Sequence, residues 1–210
     1  MVIIYYSTFT SRFTEKFFNK LLFKLSANDR KKITQFKKWE FRQNRLIGRH
    51  LLHLGISELV DKNALKHIKY NAYGKPYLKS NIAFNLSYTD KCAVCAISDQ
   101  KQVGIDVEKI SNIDFSLYKD YMHSSEWDTI CNSNNKLKAF FFYWTQKEAV
   151  IKADGRGLRV PLKRVQIKNE IATLDGLEWY LHQINIAGPF VCHLALNRID
   201  GNISKNFIYF

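Results

Sequence analysis

Residues 103–108 read Val-Gly-Ile-Asp-Val-Glu, a strict alternation that fits a β-strand with one buried face. Val103, Ile105 and Val107 share that face, and Gly104, Asp106 and Glu108 share the other. The strand, expected over Gln102–Glu108, therefore carries two carboxylates spaced roughly 7 Å apart along one side. Such a face is either simply solvated or converges on one cation, and in isolation the pair favours the first.

A second segment changes that balance. Residues 136–153 have the spacing of a helix on which Leu137, Phe141, Trp144, Glu148 and Ile151 form one stripe. Glu148 thus stands on the apolar, core-facing side, where an unpaired charge costs several kcal/mol. Lys152, one turn on, offers a plain i,i+4 ion pair. Three carboxylates from two elements with a lysine beside them suit a hard cation with oxygen ligands, magnesium in particular, which leaves positions to water and substrate phosphate. Gly155 and Gly157 end the helix.

The remaining pattern is α+β. Asn28 to about Leu54 reads as one long helix with apolar Ile33, Phe36, Phe41, Leu46, Ile47 and Leu51. A short helix is expected near Ser57–His67, turn chemistry at residues 73–77, and a hairpin of strands at Ala83–Ser87 and Cys92–Ser98. Helices are expected at Phe115–Met122 and Ser125–Ile130, and strands at Glu178–Ile184 and Phe190–Leu196. This order predicts two α+β halves, residues 1–100 and 101–210, meeting near Asp99–Lys101. No apolar run approaches the roughly 20 residues of a membrane span. The first residues read as a buried strand and not as a leader, which predicts a cytoplasmic protein. Cys92 and Cys95 fall on opposite faces of one strand, so their CxxC spacing predicts free core thiols and no metal site.

The formal net charge is +13, which points to an anionic partner. Nucleic acid is one such partner, but no DNA- or RNA-binding motif accompanies the charge, and the aromatics among the lysines have the spacing of core residues. A phosphorylated small molecule or an acidic protein is the better expectation.

Gly104-Ile105-Asp106-Val107-Glu108, followed about forty residues later by residues 144–152, Trp-Thr-Gln-Lys-Glu-Ala-Val-Ile-Lys, resembles the paired signature of the 4'-phosphopantetheinyl transferases of the larger Sfp type. The resemblance extends to Tyr73-Gly74-Lys75-Pro76-Tyr77, Phe84-Asn85-Leu86-Ser87 and Gly155-Arg156-Gly157-Leu158, covering about residues 30–162. It implies a pseudo-dimer of two similar α+β halves, acting as a monomer, with coenzyme A bound in the cleft between them. The implied reaction is attack of a carrier-protein serine hydroxyl on the β-phosphate of coenzyme A, releasing 3',5'-ADP. The acceptor is an acyl or peptidyl carrier, a class that is generally acidic.

By the same resemblance Asp106, Glu108 and Glu148 hold magnesium and Lys152 faces phosphate oxygen. Glu126 matches a glutamate often proposed as the base, with Glu148 or a metal-bound water as its competitor. Lys32, Arg45 and Lys75, then Lys31 and Arg49, are the cations implied for the coenzyme A phosphates, and Ser87 matches a contact to them. The family usually has histidine after that serine. Here the residue is Tyr88, which can donate a hydrogen bond but cannot carry positive charge.

Overall fold

The structure, a computed structural model, describes residues 1–60, 63–99, 102–199 and 202–210. The chain begins with β1 (Val2–Thr8), then α1 (Glu15–Leu22), α2 (Ala27–Thr34) and α3 (Trp39–Leu59). The short pair β2 (Lys69–Tyr70) and β3 (Pro76–Tyr77) leads to the hairpin β4 (Ala83–Thr89) and β5 (Cys92–Ser98). There follow β6 (Val103–Lys109), α4 (Ser124–Asn132), α5 (Lys136–Asp154), β7 (Gln166–Lys168), β8 (Ile171–Leu174), β9 (Leu177–Gln183), β10 (Phe190–Leu196) and β11 (Ile203–Phe207).

Beside the β2–β3 pair, two larger sheets result, one ordered β11-β1-β5-β4 and the other β6-β10-β9-β8-β7. The architecture is the expected α+β one. The division expected between residues 100 and 101 lies outside the described residues. β11 returns to pair in parallel with β1, so the first sheet is built from both ends of the chain.

Alternation along the strands divides the interior. Val2 and Ile4 of β1, Cys92, Val94 and Ala96 of β5, and Val103, Ile105 and Val107 of β6 close a core that both sheets share. Tyr5, Cys95 and Ile97 turn the other way and pack under α3 with Ile47, Leu51 and Leu52. Ala149, Val150 and Ala153 of α5 pack with Trp179, Leu181 and Ala195 of the second sheet. Cys92 and Cys95 thus face different cores, and the cysteines are free thiols.

The single long helix expected over residues 28–54 is two helices, α2 and α3. Ser26 caps α2, its hydroxyl accepting from Asp29 N, and Lys38 takes an extended backbone before α3 begins. Gln35 ends α2, and residues 36–38 bridge to α3. The break lets Phe36 fold back onto Phe41 and Trp39 reach Phe9. α3 runs on to Leu59, so the short helix expected at 57–67 is reduced to a 3-10 turn at Ala64–His67. Residues 115–121 are likewise a 3-10 turn where a helix to Met122 was expected.

The two sheets meet where β4 lies beside β6, and side chains make the join. Asn85 Oδ1 accepts from Ile105 N at 2.9 Å, Ser87 Oγ from Val107 N at 3.2 Å, and Thr89 Oγ1 from Lys109 N at 3.0 Å. Three alternate residues of β4 thus satisfy three alternate amides of β6, whose other edge is paired with β10.

On its far face β6 lies against α5. A Cβ on Gly104 would overlap the backbone of Ala149 and Ala153, and backbone cannot swing aside as a side chain does. Gly104→Ala is therefore expected to lower stability by about 1–3 kcal/mol through overpacking, read as a lower urea midpoint. An unchanged midpoint would show that α5 stands off from β6 in solution.

Candidate active site

The expected carboxylates gather at the seam of β4, β6 and α5. Asp106 is 3% exposed, and its Oδ1 accepts from Ser87 Oγ at 2.9 Å and from Lys152 Nζ at 2.5 Å. Lys152 Nζ also donates to Ser87 Oγ at 2.9 Å, closing a triangle of three elements. Lys152 therefore reaches across to β6, and its ion partner is Asp106. Glu108 Oε2 accepts from Thr89 Oγ1 at 3.1 Å.

Burial, and next the nearby Asp106 charge, push the Glu108 carboxyl up to about 7. Burial and Asp106 also raise Glu148, with Lys152 opposing them. Three carboxylates that disfavour one another's charge are held together with one ammonium to answer them.

Among the described residues no three His, Cys, Asp or Glu side chains already stand as a cage for a metal ion. Lys152 takes up one oxygen of Asp106. The residues nevertheless fit a hard cation. Asp106 Oδ2 is buried without a hydrogen-bond partner, and an orphaned carboxylate oxygen beside two further carboxylates is the donor set magnesium takes.

Glu126 is placed differently. It is 2% exposed at the start of α4, where Oε2 accepts from His123 N at 2.8 Å and Oε1 from Ile167 N at 3.1 Å. Lys147, fully buried on α5, pairs with it at 2.8 Å and also donates to the carbonyls of Leu162 and Val165. These partners tie α4, α5 and β7 together, and none belongs to the Asp106 cluster.

The cations implied for phosphate are spread along the first half. Lys75 donates to Ala153 O at 2.8 Å and Val103 O at 3.2 Å, and burial pulls its ammonium down to about 8. Lys32 rests on Tyr70, donating to its hydroxyl at 3.2 Å, and Lys31 is exposed. Arg49 is paired with Asp29. Arg45 lies over the Tyr88 ring, 4.1 Å from its centroid. Tyr88 itself packs, partly buried, against the core under α3, on the face of β4 opposite Ser87, and burial pushes its phenol up to about 12.

Sequence reasoning passed over several of these partners. Asn85 and Thr89 complete the β4 seam, and the signal for them was the polar alternation of Asn85, Ser87 and Thr89 in an otherwise apolar strand. His193 stands opposite Asp106 across the β10–β6 pairing, 2.7 Å from Thr145 Oγ1 through Nδ1. Burial lowers its ring to about 3, so it is neutral, and it pins α5 one turn before Glu148. A lone histidine in an apolar strand carries no signal of that kind.

Residues 102–195 match the family model described as the 4'-phosphopantetheinyl transferase superfamily. The 4'-phosphopantetheinyl transferase gsp of Aneurinibacillus migulanus is 37% identical over 132 residues, 61% of this chain and 54% of its own length. The 4'-phosphopantetheinyl transferase Sfp of Bacillus subtilis is 28% identical over 69% of this chain and 66% of its own. The 4'-phosphopantetheinyl transferase HetI of a Nostoc species is 33% identical over 68% and 64%. The chain thus spans between about half and two thirds of these relatives' lengths, and the matches bear out the resemblance seen in the two motifs.

Proposed function

We propose that this chain, whose residues 102–195 match the 4'-phosphopantetheinyl transferase superfamily, transfers the 4'-phosphopantetheine arm of coenzyme A to a serine hydroxyl of an apo-carrier protein and releases 3',5'-ADP. The observation that carries this reading is the convergence of Asp106, Glu108 and Glu148 with Ser87 and Lys152 at one seam between the sheets.

Asp106, Glu108 and Glu148 would hold magnesium, which when bound neutralises charge on the pyrophosphate of coenzyme A. Lys152, 28% exposed at its side chain, faces both Asp106 and the open side of the seam, where its ammonium can shift onto phosphate oxygen as charge builds. Ser87 keeps Asp106 in place while that happens. Glu148, one of the seam carboxylates, is better placed to take the serine proton than Glu126, whose oxygens are engaged by His123 N, Ile167 N and Lys147. The nucleophile comes from the carrier, so none is required here.

The net charge of +13 supports an acidic carrier as the partner. The test is to mix the protein with apo-carrier, coenzyme A and magnesium and to weigh the carrier. A gain of one phosphopantetheine arm is expected, with a Michaelis constant for the carrier that rises with salt because exposed charges are screened within about 8 Å at physiological ionic strength. No mass gain on any acyl or peptidyl carrier would overturn the proposal, and a salt-independent constant would remove the acidic-partner part of it.

A further inference from the structure

Most cations near the seam are already engaged by oxygen: Lys152 by Asp106, Arg49 by Asp29, and Lys75 by two backbone carbonyls. Arg45 is held in another way. It is exposed, no carboxylate pairs with it among the described residues, and its guanidinium carbon lies 4.1 Å from the Tyr88 ring centroid and 5.6 Å from that of Phe36. Arg45 also hydrogen-bonds the Tyr88 hydroxyl, and the N–H groups which that bond does not use are the ones that can meet oxygens of a phosphate.

The Tyr88 ring reaches this position because α3 has a glycine beneath it. A Cβ on Gly48 would overlap the ring, and Gly48 lies three residues after Arg45, on the same side of α3. Tyr88 also directly follows Ser87, whose hydroxyl belongs to the carboxylate cluster, while its own ring points to the opposite face of β4. The phenol is therefore turned from Asp106 and cannot share Ser87's contacts.

We infer that Tyr88 is a positioning residue for coenzyme A: its ring, seated on Gly48, holds the Arg45 guanidinium above it so that the N–H groups Tyr88 does not use meet a phosphate of the ligand. This rests on the proposed transferase reading. Tyr88 then acts through Arg45 and supplies no phosphate contact of its own.

The test is a double-mutant cycle read by calorimetric titration with coenzyme A, with a melting curve for each variant. Tyr88→Leu and Arg45→Leu should each weaken binding about tenfold, and the double variant should bind no more weakly than Arg45→Leu alone. Tyr88→Phe keeps the ring and should restore affinity to within about threefold of wild type. Losses that add in the double variant, or a Tyr88→Phe protein as weak as Tyr88→Leu, would overturn the inference while wild-type binding of coenzyme A leaves the functional reading standing. A wild-type protein that does not bind coenzyme A would remove both.

Discussion

Asp106→Asn lowers turnover by about 10²–10³-fold while the protein still folds, an effect of the size seen when a preorganised electrostatic group is removed. The substitution keeps the shape of the side chain and one acceptor for Ser87 and Lys152, so the seam stays closed. It removes the charge that the orphaned Oδ2 would offer a cation. A second readout follows from Glu108, which has its carboxyl raised from 4.5 to about 7 by burial and then by Asp106. Between those values the folded state binds more protons than the unfolded one, so stability without metal falls as pH rises through that window. In Asp106→Asn the fall should be shallower, since one cause of the raised value is gone. Turnover within tenfold of wild type, together with an unchanged pH slope, would remove Asp106 from the centre of the site.

Glu126→Ala and Lys147→Met each destabilise the protein by about 3–5 kcal/mol, because removing one partner of a buried ion pair leaves the other charge uncompensated. Lys147 is fully buried and Glu126 nearly so, and solvent can therefore do little to answer either charge once its partner is gone. Glu126→Ala also strips two backbone amides, His123 N and Ile167 N, of their acceptor. Urea denaturation measures the loss. The same variants decide what Glu126 does: an anchor lowers the midpoint while the folded fraction keeps its turnover, whereas a base would lose turnover at nearly unchanged stability. The double variant should lose less than the sum of the two, since no stranded charge remains.

The carboxylate strand was legible because its alternation leaves little choice. Val103, Ile105 and Val107 had to share a face, and once they were buried Asp106 and Glu108 pointed to α5. Glu148 was legible as a charge in an apolar stripe. The partner of Lys152 was not, since helical spacing favours Glu148 and only the packing of α5 onto β6 brings Asp106 nearer. The break between α2 and α3 was hidden because apolar residues on both sides of it keep helical spacing. The extended backbone of Lys38 and the aromatic contacts of Phe36 and Trp39 appear only in three dimensions. The return of β11 to β1 was also beyond reach, because a short terminal strand does not record which edge it will join.

The join between β4 and β6 has a numerical regularity: residues 85, 87 and 89 bind residues 105, 107 and 109, each pair twenty apart. β4 acts as a ruler laid along the carboxylate strand. One residue gained or lost within β6 ahead of Asp106 would turn Asp106 to the wrong face, and one within β4 would offset the marks beyond it. Length variation among descendants of this sequence should therefore collect outside these strands, in segments such as the one between β10 and β11, while the stretches 85–89 and 105–109 keep their lengths.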